Sequence, residues 1–369
     1  MYGRIALVLL LVLFWAACSA PDNSDHDEDG FPDRLEAEGE FYRGYPLYDL
    51  GARPNQTDVF VFAEYVGPDP SISVFHEDIA FTATVFEKYG LHLHFDMGDL
   101  FHQAEGISPR DFDHSDTLHY VEDTAEDDLG RTEIAERYAS GRYQEENRDA
   151  VYHYALFHDG LGGSSGGSFA SLSTPGVFMN TYNNTRARTY FNSSLIHEIG
   201  HMLGLGHGGA YHPDVVQPEM NFKPNYLSVM NYMYTSGEVP RNAEEFLYLY
   251  YYWQYRYHDY QGDPALRDQF YSYISDEEGN IRKPQSMLDS HNYAFSSGSG
   301  LPLDESDLNE YDCLPGYFAC EVDWNGNGVI EASVEHDINR DGNISILRDY
   351  DDTAYLRSSF APGAYTYTE

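Results

Sequence analysis

Apolar and polar positions change period along the chain, and the changes mark out its elements. The chain opens on an apolar run of 13 residues, Ile5 to Ala17, behind Arg4. Such a run is too short to span a bilayer and has the form of an export signal. An acidic stretch follows to about residue 54. Asp58–Val66 then reads as a strand, and Ile79–Tyr89 as a helix with apolar spacing stopped by Gly90. Leu91–Phe95 alternates like a second strand. Residues 96–130 are acidic and turn-rich, Thr132–Ala139 predicts a short helix, and Ala150–Phe157 another strand. Gly160–Ser168 reads as a flexible Gly/Ser loop, without the Gly-Lys-Ser/Thr ending of a phosphate cradle. Short strands fit Phe169–Leu172 and Gly176–Met179, and a helix starts near Ser193 or Ser194, either of which suits an N-cap. Beyond Tyr232 the pattern loses regularity. This order predicts an α/β (α+β) domain with a mixed twisted sheet and an irregular C-terminal half.

The helix after Ser194 carries the candidate chemistry. Residues 197–207 read His-Glu-Ile-Gly-His-Met-Leu-Gly-Leu-Gly-His, which fits H-E-x-x-H-x-x-G-x-x-H. At equal residue frequencies, chance places those five fixed positions in a chain of this length with probability on the order of 10⁻⁴. His197 and His201 stand one helical turn apart on one face and can hold one Zn²⁺. Glu198 lies about 100° further round, where its carboxylate can reach a metal-bound water without becoming a ligand. Gly204 permits the left-handed backbone that ends the helix, and His207 returns as third ligand. Three imidazoles leave a fourth position for water, as in a catalytic zinc site.

Downstream, Tyr226-Leu-Ser-Val-Met-Asn-Tyr232 places Met230 23 positions after His207, with Tyr232 two further on. Here the chain resembles the metzincin clan of zinc metalloendopeptidases. The resemblance covers roughly residues 57–235 and implies a zincin-like catalytic domain. It also implies that Met230 lies in a tight turn beneath the metal. Tyr232 matches the tyrosine that astacin-like and serralysin-like members place near the zinc, a ligand at rest and an oxyanion donor during turnover. Other branches carry proline there. The run from Asn221 to Tyr232 also resembles bacterial extracytoplasmic zinc metalloproteases that often carry calcium loops.

The charge balance narrows the partners. Acids number 61 against 21 bases, a net charge of −40, and only Lys88, Lys223 and Lys283 are lysines. That excess repels a phosphate backbone and sets nucleic acid aside. It favours bound cations. Asp25, Asp27, Asp29, Gly30, Phe31 (through its carbonyl), Asp33 and Glu36 fit a twelve-residue calcium loop at positions 1, 3, 5, 6, 7, 9 and 12. Asp323, Asn325, Asn327 and Glu331 repeat it, and so do Asp337, Asn339, Asp341 and Ser345. Neither repeat has a glutamate at position 12, so each must borrow a carboxylate, with Glu335, Asp349 and Asp351 the candidates in sequence. One to three calcium ions are expected.

Seven of the 33 tyrosines fall between Tyr248 and Tyr260, around Trp253. They would form a substrate-contacting rim or flap, with plain packing the expected role. The signal ends in Trp-Ala-Ala-Cys18-Ser, similar to a bacterial lipoprotein signal that leaves Cys18 for acylation. Trp15 stands where such signals carry leucine, and ordinary cleavage near Ala20 is the alternative. Either route exports the protein. In an oxidising compartment Cys313 and Cys320 are expected to pair. The chain thus divides into a signal peptide with a lipid-anchor cysteine (1–18), an acidic calcium-loop leader (19–54) and a catalytic domain (55–369) that includes C-terminal calcium loops at about 323–352.

These readings together lead to an expected zinc-dependent endopeptidase acting on protein or peptide substrates. A calcium-dependent surface adhesin with a vestigial zinc site is the rival from another class, and intact Glu198 argues against it. A zinc amidase or toxin with one narrow protein target is a second enzyme alternative.

Overall fold

The computed structural model describes residues 23–66, 76–96, 120–121, 148–158, 166–169, 176–180, 188–210, 220–235, 237–314 and 316–356. The signal peptide, Cys18, the helix expected at Thr132–Ala139 and the segments 160–165 and 170–172 lie outside them.

The architecture mixes helix and strand around a small, largely parallel sheet. A short helix α1 (Leu47–Leu50) precedes β1 (Thr57–Val66), then α2 (His76–Glu87), β2 (Leu91–Asp96), β3 (Tyr120–Val121), β4 (Tyr152–His158), β5 (Gly166–Phe169) and β6 (Gly176–Asn180). Strand order is β2-β1-β4-β6-β5, with β3 paired to the far end of β1. All pairings are parallel except β5 with β6. In β1 the run Val59–Ala63 is buried at every position, as expected of a strand covered on both faces. Val59, Val61 and Ala63 face α2 and the helix α3 (Arg188–Met202), through Ile79, Phe86, Leu195 and Ile199. Phe60 and Phe62 face the other way, into a cluster with Tyr152, Tyr154, Phe31, Leu47, Leu50 and Ala52. The acidic leader therefore supplies the apolar cover of the sheet's second face, and it shares a core with the segment expected to begin at residue 55.

Two boundaries differ from the sequence expectation. α3 starts at Arg188, so Ser193 and Ser194 lie inside it and cap nothing. Phe191 is buried against Phe157, and that packing extends the helix beyond its polar capping candidates. Gly166–Ser168, expected as loop, belong to β5, an edge strand whose partner needs only its backbone.

The C-terminal half is more regular than expected. β7 (Leu205–Gly206) and β8 (Gly209–Ala210) form a small hairpin after α3. Then come α4 (Ala243–Gln261), α5 (Pro264–Ile274) and α6 (Gln285–Asp289). Asn242 accepts from Glu245 N–H to start α4, and Gly262, at φ 77°, ends it. Asp263 caps α5 in the same way. Phe246, Leu249, Tyr250 and Tyr251 turn into a third cluster with Phe270 and Trp324, while Tyr248, Tyr252, Trp253, Tyr255 and Tyr257 stay half-buried. The tyrosine run packs into this core through Tyr250 and Tyr251. β9 (Leu303–Asp304) pairs with β10 (Ile346–Leu347), and α7 (Asp352–Leu356) closes the described chain. Among the described residues no helix is long and apolar enough to cross a membrane.

Candidate active site and metal centre

α3 brings His197 and His201 together and the hairpin after it brings His207. The Nε2 of His201 lies 2.9 Å from that of His197 and 3.1 Å from that of His207. Ligands 2.0–2.1 Å from one tetrahedral zinc would sit roughly 3.3 Å apart, so the three nitrogens converge on the right scale. In His197 and His201 the other ring nitrogen fixes the tautomer. His197 Nδ1 faces the Val229 carbonyl at 2.9 Å, and His201 Nδ1 faces that of Leu205 at 2.6 Å. A carbonyl only accepts, so each Nδ1 carries the ring hydrogen and each Nε2 keeps its lone pair. Burial, with the neighbouring His201 charge second, holds His197 well below its ordinary pKa. Burial takes His201 down to about 4, and burial with the His201 charge takes His207 down to about 3. All three are neutral near pH 7, as metal ligands must be.

Two glycines permit this arrangement. Gly204 has φ +94°, and a Cβ there would strike the Tyr355 hydroxyl. A Cβ on Gly200 would collide with the Met230 sulfur. Met230 is fully buried beneath the histidine helix. Its turn is tied from several sides. Met230 N–H donates to Ser228 Oγ at 3.1 Å, and Asn231 Nδ2 donates to the carbonyls of Lys223 and Tyr226.

Glu198 is buried on α3 between the first two histidines. Tyr232 is 49% exposed, with its ring centroid 4.1 Å from that of His207 and 5.6 Å from that of His197. Asn221 Oδ1 accepts from both Tyr232 N–H (2.9 Å) and Phe222 N–H (2.8 Å). Phe222 stacks on Trp253 at 4.6 Å, so half-exposed aromatic surface continues outward from Tyr232.

Sequence reasoning missed Lys223. It is buried, and its ammonium donates to the carbonyl of Gly208, next to His207, at 2.7 Å and to that of Arg348 at 2.8 Å. Burial draws its pKa down to about 8 against the opposing pull of Asp352 and Asp349. Nearby, Tyr226 donates to the buried Asp352 carboxylate at 2.7 Å. A lysine flanked by Phe222 and Pro224 gives no sign in sequence that its partners lie on distant segments.

The leader loop brings Asp25, Asp27, Asp29, Asp33 and Glu36 together, with Asp58 of β1 beside them. The Phe31 ring points instead into the core, 5.7 Å from that of Phe60. The two C-terminal loops are built differently. Asp323 accepts from Asn327 and Gly328 N–H, and Asp337 from Asp341 and Gly342 N–H. Asn325 accepts from Asn327, Asn327 donates to Glu331, and Asn339 donates to Asp341. Among the described residues, no trio of Asp, Glu or His ligand atoms converges in either loop. The carboxylates that enter them are not the expected ones. Glu310, fully buried, accepts from Trp324 and Glu331 N–H. Glu305, also fully buried, accepts from Ile338 N–H and from Ser345 N–H and Oγ. Glu335 is exposed, Asp349 serves Ser296, Gly300 and Tyr317, and Asp351 caps α7 through Thr353 and Ala354. Cys313 and Cys320 are paired, as expected, with Cα atoms 5.1 Å apart.

No protein-family model matches this chain, and no curated protein matches it.

If the three histidines share one ion, His207→Ala should lose it. Metal content per chain, measured after dialysis against a weak chelator, should fall from about one zinc to near none. Normal zinc content in that variant would remove His207 from the ligand set.

Proposed function

We propose that this chain is a zinc-dependent endopeptidase of metzincin-like type. The observation that carries the reading is the convergence of three Nε2 atoms, two of them tautomer-fixed, beside a buried glutamate. A zinc ion bound there would polarise a substrate carbonyl and lower the pKa of water toward ~7. Glu198 takes the proton from the attacking water and returns it to the leaving amine. Tyr232, over His207 and exposed to the site mouth, donates its hydroxyl to the charge developing on the carbonyl oxygen. Protein or peptide is the substrate, structural calcium supports the fold, and an export signal with a lipid anchor at Cys18 places the enzyme outside the cytoplasm.

The direct test is casein hydrolysis by the purified protein. Activity should vanish with a zinc chelator and return with added zinc. No hydrolysis of casein, gelatin or a mixed peptide library by the zinc-loaded chain would sink the reading.

Tyr232→Phe tests the role of the phenol. It should cut kcat by about 10- to 1000-fold, the usual worth of one oxyanion donor, with KM little changed. The ring survives the change, so the melting temperature should barely move. Parental kcat would make Tyr232 a packing residue, and a large loss of stability would make its hydroxyl structural.

A further inference from the structure

The leader and the first strand of the sheet close around carboxylate oxygens that nothing among the described residues satisfies. The outward oxygens are used. Asp25 Oδ2 accepts from Gly30 N–H at 3.0 Å and Asp27 Oδ2 from Gln56 N–H at 2.7 Å. Asp29 accepts from Phe31 N–H at 2.8 Å and from Asp58 N–H at 3.0 Å. The inward ones are not. Oδ1 of Asp25, Oδ1 of Asp27 and both oxygens of Glu36 are buried with no hydrogen-bond partner, and Glu36 is 0% exposed. Asp29, Glu36 and Asp58 each bring an oxygen within 4.8 Å of the others. Ionised carboxylates are acceptors only, so they cannot satisfy one another, and burying them together without a counter-charge is costly.

We propose that this pocket binds a divalent cation, calcium by its all-oxygen ligand set, as a clamp between the leader and the sheet. This departs from the self-contained loop that the sequence suggests. Asp33 is engaged by the backbone and ring of His26 and by Ser24. Asp33 still brings an oxygen within 4.8 Å of Asp27 and Glu36, and Asp58, 22 positions beyond the end of the loop pattern, joins Asp29 and Glu36 in the carboxylate set. Asp58 is itself anchored, accepting from Arg53 N–H at 2.8 Å and Gln56 Nε2 at 2.6 Å, with His94 Nε2 on β2 also 2.6 Å away. Thr57 Oγ1 donates to the Asp27 carbonyl, which adds a further tie between loop and strand. The ion thus joins the leader to the start of β1 and, through His94, to β2. It holds Phe31, Leu47, Leu50 and Ala52 over the sheet's second face. None of this depends on the zinc reading.

The test begins with the unaltered protein. It is stripped with EGTA and titrated with CaCl2 in excess MgCl2, and amide hydrogen exchange is followed. Calcium should slow exchange at Gln56 and Asp58 as well as within residues 25–36, because those amides donate to Asp27 and Asp29. Protection confined to 25–36 would mean a self-contained loop and overturn the clamp. Magnesium binding as tightly as calcium would overturn the choice of ion. Glu36→Gln and Asp58→Asn should each weaken one calcium site by at least about tenfold. If either Glu36→Gln or Asp58→Asn leaves the titration unchanged, the ligand set is wrong. Should Asp58→Asn not fold, the exchange pattern of the unaltered protein decides alone.

Discussion

Glu198→Gln should retain one zinc per chain and the parental melting temperature while losing about 100-fold or more in kcat. Glutamine has nearly the shape of glutamate, so the buried position on α3 is filled as before and the three histidines are untouched. What disappears is the base. A positioned general base contributes about 10²–10⁴-fold, and a 100-fold loss corresponds to about 2.7 kcal/mol of barrier. The comparison that matters is with His207→Ala, which should lose metal and rate together. If Glu198→Gln kept more than about a tenth of the parental rate, the base would lie elsewhere. If it lost zinc, Glu198 would belong among the ligands.

Removing calcium should destabilise the protein, and more so at higher pH. In the ion-free leader pocket, burial raises Asp27 to about 6, Asp29 to about 8 and Glu36 to about 9, with the neighbouring carboxylates adding to each. Unfolded, these groups titrate near 4. Between those limits the folded chain holds more protons than the unfolded one. Its stability therefore declines as pH rises through 6, 8 and 9. Bound calcium keeps the carboxylates ionised and removes that penalty. At calcium about 100-fold above Kd the native state gains about 2.7 kcal/mol, or about 4 °C in Tm. Scanning calorimetry with calcium and with EGTA should show a gap that widens from pH 6 to pH 9. An equal gap at both would place the calcium effect outside the leader pocket.

How much of this was legible in the sequence depended on how far apart the partners stood. The histidine helix, its glycine turn and the Met230 turn lie within a few residues of their own signals, and the structure brings them together as read. The cysteine pair is also local. α4 was missed although its boundary signals were present in Asn242, Glu245, Gly262 and Asp263-Pro264. Its tyrosine run carries strand propensity, which masked a helix that tertiary packing stabilises. The long-range choices left no local trace. Asp58 joins the leader pocket, Glu305 and Glu310 enter the C-terminal loops, and Lys223 reaches Gly208 and Arg348. Each is a buried polar group whose partners are chosen by the fold, and a single sequence does not display that choice.

The Lys223 tie also bears on the order in which the molecule becomes complete. During synthesis the three histidines and Glu198 emerge more than a hundred residues before Arg348 and Asp352. Until those last residues arrive, Lys223 lacks one of its two carbonyl acceptors and Tyr226 lacks its carboxylate. Tyr350 and Tyr355, which close over Gly209 and Gly204, are missing too. The nascent chain therefore carries the three histidines and Glu198 before these contacts to their hairpin exist. The bracing of the histidine hairpin is thus completed by residues 348–355, which are synthesised well after the histidines they support.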